Sequence, residues 1–348
     1  MTRRNSQTMP GNLLDRQLTR REFLIRAATG AILAPMVFPN LAGCRRSLES
    51  ADVFIGRMGS YDGDIASIIF RGLGELAVSP EEIRGKRILL KPNLVESHIG
   101  AGHINTHPLV VRGAAEAFLR CGASEVLVGD GPGHCMDTEM VLEESRLGDV
   151  LIEDQLRFVD LNYDDGYRVP NQGGFSRFRS LVLPRTLREV DLVVSLAKMK
   201  THHWAGVTLS MKNLFGLFPG TYYGWPKNAL HFEGIEKCIL DINATVRPYF
   251  SIVDGIIGME GDGPIMGNPH HAGVLVMGRN LPAVDATSAR IMGIDPKKVP
   301  YLAKASGRLG PIQEASIRQR GETIRSVRTD FSLVEGIHAH KGLRWSPK

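Results

Sequence analysis

The sequence predicts an α/β protein with a mostly parallel sheet and helices on both faces. Three observations predict it. Short runs rich in Val, Ile and Leu alternate with helix-length segments over most of the chain. The runs are apolar at successive positions, as in strands covered on both sides, rather than alternating. Gly, Pro and Asp bound them.

The N-terminus reads as a signal rather than as part of the fold. Thr19, Arg20, Arg21, Glu22, Phe23 and Leu24 precede an apolar, alanine-rich stretch at 27–42, and the tetrad Leu41, Ala42, Gly43, Cys44 follows. A paired arginine ahead of a modest apolar run is the layout of a targeting segment. The run is shorter than the roughly 20 residues that span a bilayer, and Pro35 and Pro39 interrupt it. The string resembles the twin-arginine export motif, with Ile25 where lysine is common, and the tetrad resembles a lipobox. Residues 1–43 are therefore expected to be a signal peptide read by the twin-arginine export machinery. Cys44 becomes a lipidated first residue, 44–51 a tether, and 52–348 the α/β domain. That predicts a protein anchored by lipid on the periplasmic or another extracytoplasmic face.

Removing residues 1–43 changes the charge argument. They hold six Lys+Arg and two acids, so 36 basic and 35 acidic residues remain, and the formal +5 of the whole chain falls to +1. No basic arm survives to suggest nucleic acid. The remaining cysteines, Cys121, Cys135 and Cys238, are widely spaced and form no disulfide framework or C-x-x-C metal site. About 305 residues suffice for one large domain or two lobes.

Strands are expected at 53–55, 87–90, 125–129, 158–161, 181–183, 191–196, 251–253 and 274–277. Ile65, Ile68, Ile69, Leu73 and Leu76 recur at helical spacing in 64–76, as do Val110, Ala114, Ala117 and Phe118 in 109–119. Asp137 and Thr138 cap a helix through Leu147. Further helices are placed at 236–246 and, opened by Pro282, at 282–292. The polar, glycine-rich 162–180 and the aromatic 216–233 break the rhythm; such segments are frequently lids or binding loops.

In open parallel sheets ligands bind at the carboxyl ends of the strands, and here those ends are polar. Lys91, Pro92 and Asn93 follow one strand. Gly129, Asp130, Gly131, Pro132, Gly133 and His134 follow the next. Lys198, Lys200 and His202 alternate beyond a third, so an extended backbone puts all three on one side. Lys212 and Asn213 lie among apolar neighbours, which argues against a merely solvated edge. Several ammonium groups on one face favour a carboxylate or phosphate ligand. Lys91, Asn93, Lys198, Lys212 and Asn213 are thus expected to bind an anionic small molecule, with Lys200, His202 and Asp254 as catalytic groups. Asp130, His134, Glu260 and Asp262 are the candidate ligands of a divalent metal. Nucleotide-binding fingerprints and the G-x-S-x-G elbow are missing. A binding or redox-accessory protein without catalysis is the other function these residues allow.

The same residues resemble a prokaryotic family known as the domain of unknown function numbered 362. The matching pieces are Lys91-Pro92-Asn93, Thr106-His107-Pro108, Val128-Gly129-Asp130, the K-x-K-x-H of Lys198, Lys200 and His202, Lys212-Asn213-Leu214-Phe215-Gly216, the loop at 261–267, and Ala283-Val284-Asp285-Ala286. They span about residues 87–305. The resemblance implies no assigned activity. Iron–sulfur modules accompany some members, but no clustered cysteines occur here, so no iron–sulfur cluster is expected.

Overall fold

A computed structural model describes residues 50–346, apart from 98, 101 and 135. The export signal, Cys44, most of the tether and Cys135 lie outside the described residues. The frame is one sheet in the order β12-β1-β11-β9-β7-β2-β3-β4. Its strands are β1 (Ala51–Arg57), β2 (Arg87–Lys91), β3 (Glu125–Asp130), β4 (Arg157–Asp160), β7 (Leu192–His202), β9 (Phe250–Glu260), β11 (Val274–Gly278) and β12 (Ile317–Gly321). Of these, β11 alone runs against the rest. The short β8 (Gly206–Thr208) and β10 (Asn268–His270) pair antiparallel with β7 and β9. A separate hairpin joins β5 (Gly166–Pro170) to β6 (Ser180–Pro184).

Strand periodicity divides the apolar side chains between two cores. Val53 and Ile55, Leu89, Leu127, Ala197, Val253, Val274 and Val276 enter one. Phe54, Ile88 and Leu90, Val126 and Val128, Leu196, Ile252, Leu275 and Met277 enter the other. The second core is covered by α1 (Ile65–Glu75), α3 (Pro108–Arg120), α4 (Thr138–Glu144) and α5 (Leu147–Glu153), with the one-turn α2 (Pro80–Ile83) beside them. The first is covered by α6 (Ser210–Asn213), α7 (Gly220–Tyr223), α8 (Asn228–Glu233), α9 (Ile235–Val246), α10 (Leu281–Ile291), α11 (Pro300–Ala305) and α12 (Ile324–Val327). Sheet and helices together form a single unit, one of the two arrangements that the chain length left open.

Helix starts follow local chemistry. The Asp64 carboxylate accepts the Ser67 N–H at 2.9 Å, His107 Nδ1 accepts the Leu109 N–H at 3.2 Å ahead of Pro108, and Asn280 Oδ1 accepts the Ala283 N–H at 3.0 Å ahead of α10. The single helix expected at 137–147 is two, because Arg146 takes a left-handed backbone at φ 62° and restarts the chain as α5. Residues 162–180 contribute mainly the β5–β6 hairpin, and 216–233 folds into α7 and α8.

The α1–α3 contact depends on Gly113. A Cβ there would stand 2.7 Å from Ile65 Cγ2 and 3.1 Å from the Ala66 amide nitrogen. Alanine would raise helix propensity by up to ~1 kcal/mol, but overpacking typically costs ~1–3 kcal/mol. Gly113→Ala is therefore expected to lower stability in urea unfolding; an unchanged or raised midpoint would show that the two helices separate freely.

Candidate functional site

Strands β2 and β7 are neighbours whose chains leave in opposite directions. After β2 the chain enters α3 on one face, and after β7 it passes through β8 to α6 on the other. A crevice opens at such a switch point. Here it is a cavity of about 450 Å³, lined by the loops after β2, β3, β7 and β9 and by Phe215, Gly216, Pro226, Lys227 and His231.

At its floor, Lys91 and Asp130 form an ion pair of 2.7 Å with side chains 1% and 0% exposed. The second Asp130 oxygen accepts the Leu94 N–H at 2.7 Å, and Oδ1 also accepts the Gly131 N–H at 2.8 Å. Lys91 Nζ donates to Asn213 Oδ1 at 3.0 Å and to the Pro92 carbonyl at 2.7 Å. Asn213 returns its amide to the Lys91 carbonyl and to Ser195 Oγ, each at 3.0 Å. Burial drives the Asp130 carboxyl upward, and Lys91 with the Leu94 amide opposes that drive. Gly216 lies against this pair: a Cβ on it would fall on Asp130 Oδ1, so only glycine permits the approach.

Three more lysines face the cavity, and none forms an ion pair with a described carboxylate. Lys200 Nζ donates to the carbonyls of Ile104, at 2.8 Å, and Pro264, at 3.3 Å. Lys227 Nζ donates to Asn162 Oδ1. Lys212 is half-buried, its Nζ stands 5.6 Å from the centroid of the Phe215 ring, and it makes no hydrogen bond or ion pair with a described residue. Burial depresses all three, Lys200 well below its ordinary value, Lys212 to about 8 and Lys227 to about 7; neighbouring cations add to this at Lys200 and Lys212, whereas at Lys227 Asp130 and Asp160 oppose it. Asn93 Oδ1 and Thr208 Oγ1, on lining residues, are buried without a hydrogen-bond partner.

Two histidines take opposite roles. His202 Nδ1 accepts the N–H groups of Trp204, at 3.0 Å, and Ala205, at 3.2 Å, so the ring proton is assigned to Nε2. His231 Nδ1 lies 3.0 Å from the Lys227 carbonyl, which only accepts, so there the proton is on Nδ1 and Nε2 is bare. Burial lowers the pKa of both. Lys212 is itself fixed from behind. Asp285 on α10 accepts the N–H groups of Ser210, at 2.8 Å, and Met211, at 3.1 Å, at the start of α6, and burial pushes its carboxyl up to about 7.

Lys91, Asn93, Lys200, His202, Lys212 and Asn213 thus meet in one place. His134 and Asp262 also line the cavity and Asp130 lies at its floor, whereas Lys198, Asp254 and Glu260 do not line it. Lys198 and Asp254 pair at 2.9 Å outside the cavity lining. Tyr61 donates to Asp254 at 3.0 Å, and the His107 N–H adds another bond at 3.1 Å. Period-2 geometry did put Lys198 on the side of Lys200, but a register shift of β7 on β9 lies between the two.

The four expected metal ligands are parted by nearer partners. Asp130 is held by Lys91, His134 by Glu96, Glu260 by His270 at 2.6 Å, and Asp262 by His203 at 3.4 Å. Among the described residues no three His, Cys, Asp or Glu side chains form a group that would hold a metal ion. Conversely, Lys227 and His231 were missed, because 216–233 has no periodicity. Their spacing of four was the available signal, since it places both on one side of a helical turn.

Removing one charge of a buried pair typically costs ~3–5 kcal/mol, because the other is left uncompensated. Asp130→Asn should lose roughly that in urea unfolding, and adding Lys91→Met should recover part of it. A single variant as stable as the parent would mean that Lys91 is neutral in the folded protein.

A thylakoid-associated protein of Synechocystis sp. is 29% identical over 231 residues, covering 65% of this chain and 68% of its own length. A crystal structure of a Thermotoga maritima protein gives a TM-score of 0.37 at 14% identity, over 65% of this chain and 59% of that one. The lactate racemase apoprotein of Thermoanaerobacterium thermosaccharolyticum gives 0.35 at 13%, over 60% and 51%. The family model described as "Domain of unknown function (DUF362)" matches residues 88–290, and the chain belongs to that family.

Proposed function

We propose that the protein is an enzyme that binds an anionic small molecule, a carboxylate or phosphate, in the switch-point cavity and moves a proton there with histidine. The observation that carries this reading is a surplus of positive charge: buried Lys200 and Lys227 and half-buried Lys212 face one cavity, and none forms an ion pair with a carboxylate among the described residues. Ammonium groups held together away from water repel one another and lose protons. An anion relieves that repulsion and restores their charge, so binding takes up protons. Asn93 and Thr208 offer it further polar contacts. The bare Nε2 of His231 and the Nε2–H of His202 supply an acceptor and a donor, which favours catalysis over storage. Facing ammonium groups disfavour a cation, so the reading rests on the anion rather than on a divalent metal.

Deprotonation removes the charge that the anion meets. Affinity for phosphate, or for carboxylates such as oxalate and succinate, is therefore expected to be full below pH about 7 and to fade as Lys227 and then Lys212 lose protons, near 7 and 8. Calorimetric titration across pH 6 to about 9 tests this. Lys227→Met should weaken binding about 10- to 150-fold, the equivalent of a charged hydrogen bond of ~1.5–3 kcal/mol. Anions that bind with no pH dependence, or none that bind, would defeat the reading.

We also propose export through the twin-arginine machinery and anchoring at lipidated Cys44 on an extracytoplasmic membrane face. The motif around Arg20 and Arg21 and the Leu41–Cys44 tetrad support it. Among the described residues no helix is long and apolar enough to cross a membrane, and the Synechocystis relative is a thylakoid-associated protein. Cys44→Ser is expected to move the protein from the membrane fraction to the soluble one. Mass spectrometry that finds residue 44 unmodified, or an N-terminus elsewhere, would overturn the anchor.

A further inference from the structure

Four lysines line the cavity, and three have committed their ammonium groups. Lys91 is bound by Asp130, Lys200 by two carbonyls and Lys227 by Asn162. Lys212 is different: its Nζ makes no hydrogen bond or ion pair with a described residue and opens into the cavity. Its backbone is nonetheless held firmly, by Asp285 at the Ser210 and Met211 amides and by the Asn213 side chain against Lys91. The charged groups that bear on it come from several elements: Lys91 on β2, Lys200 and His202 on β7, and His231 on α8. These are cationic or neutral, and the nearby acids lie against other partners, Asp130 against Lys91 and Asp262 against His203. An amine desolvated beside other cations is the arrangement that frees a lysine lone pair for attack on a carbonyl.

We propose that Lys212 is a nucleophile that condenses with the carbonyl group of a 2-oxo acid to form an imine. The inference rests on the reading of the cavity as an anion site, and it adds the substrate class and the reacting atom. The substrate carboxylate sits against Lys200 and Lys227, which each keep a free N–H beyond their present partners, and its charge holds those two protonated while Lys212, facing the carbonyl instead, loses its proton. The Lys212 nitrogen lone pair adds to the carbonyl carbon, and the carbonyl π pair moves to oxygen, which accepts a hydrogen bond from His202 Nε2–H. His231 Nε2 takes the two nitrogen protons in turn, passing the first to the alkoxide to give the carbinolamine and the second to its hydroxyl, which leaves as water while the nitrogen lone pair forms the double bond to carbon. One amine and one carbonyl become one imine and one water, with no oxidant or reductant. Lys212 must be uncharged to attack, and burial beside Lys91 brings its proton loss to about pH 8.

Borohydride trapping tests this on the full folded protein. Pyruvate or glyoxylate is added, the imine is reduced with sodium borohydride, and intact mass and peptide mapping read the product. The expected result is a single adduct on Lys212, formed at least about tenfold faster than on exposed lysines such as Lys297 and suppressed by inorganic phosphate. Lys212→Arg and Lys212→Met should abolish it while retaining the circular-dichroism spectrum. Trapping should also accelerate as pH rises through about 8, where binding weakens. Pyruvate that stabilises the protein against heat but leaves Lys212 unlabelled, or labels another lysine equally, overturns the nucleophile and leaves the anion site standing. Phosphate binding without pyruvate binding overturns the 2-oxo acid. If neither anion binds, the underlying site reading fails as well.

Discussion

The ion pair between Lys91 and Asp130 is the constraint around which the rest is arranged. Two unit charges stand 2.7 Å apart where almost no solvent reaches. Such a pair contributes little net stability, because desolvation offsets attraction, but its members cannot be separated cheaply. It therefore fixes positions. Through it and its hydrogen bonds, the end of β2, the turn after β3, the helix that carries Lys212 and the loop at Gly216 are all held to one point.

The parallel sheet supplies that point. Strands β2, β3, β7 and β9 deliver their last residues to the same edge, and the reversal of chain direction between β2 and β7 leaves a gap there. Because both faces of the sheet are packed, the polar ends have little freedom to turn outward. Lysines that would lie in water on an isolated strand are instead confined to the crevice or paired beneath it, as Lys198 is with Asp254.

Apolar runs such as Ile88 to Leu90 and Val126 to Val128 declared themselves in the sequence because burial on both faces leaves an unmistakable pattern. The strand at Ile317–Gly321 did not, since an edge strand of composition Ile-Arg-Gln-Arg-Gly meets water on one side. Lys91, Lys200, His202, Lys212 and Asn213 were legible as site residues from their place after strands. Which acid belonged to which base was not. Asp130 and Asp254 looked like available oxygen ligands until the fold put Lys91 and Lys198 within 3 Å of them. His231 and Lys227 were hidden for another reason: short helices such as Asn228–Glu233 owe their existence to tertiary burial of residues like Leu230, not to a local period.

The uncompensated lysines also bear on folding itself. An unfolded chain spaces Lys200, Lys212 and Lys227 apart in water, whereas the folded chain crowds them in a medium that screens poorly. Folding the empty protein therefore performs electrostatic work. A molecule that neutralises the crevice returns that work and, having no site on the unfolded chain, stabilises the native state by an amount that grows with its concentration relative to its Kd. The empty and the loaded protein should consequently differ in how readily they unfold. A quality-control protease in the surrounding compartment would see the difference before any assay of turnover did.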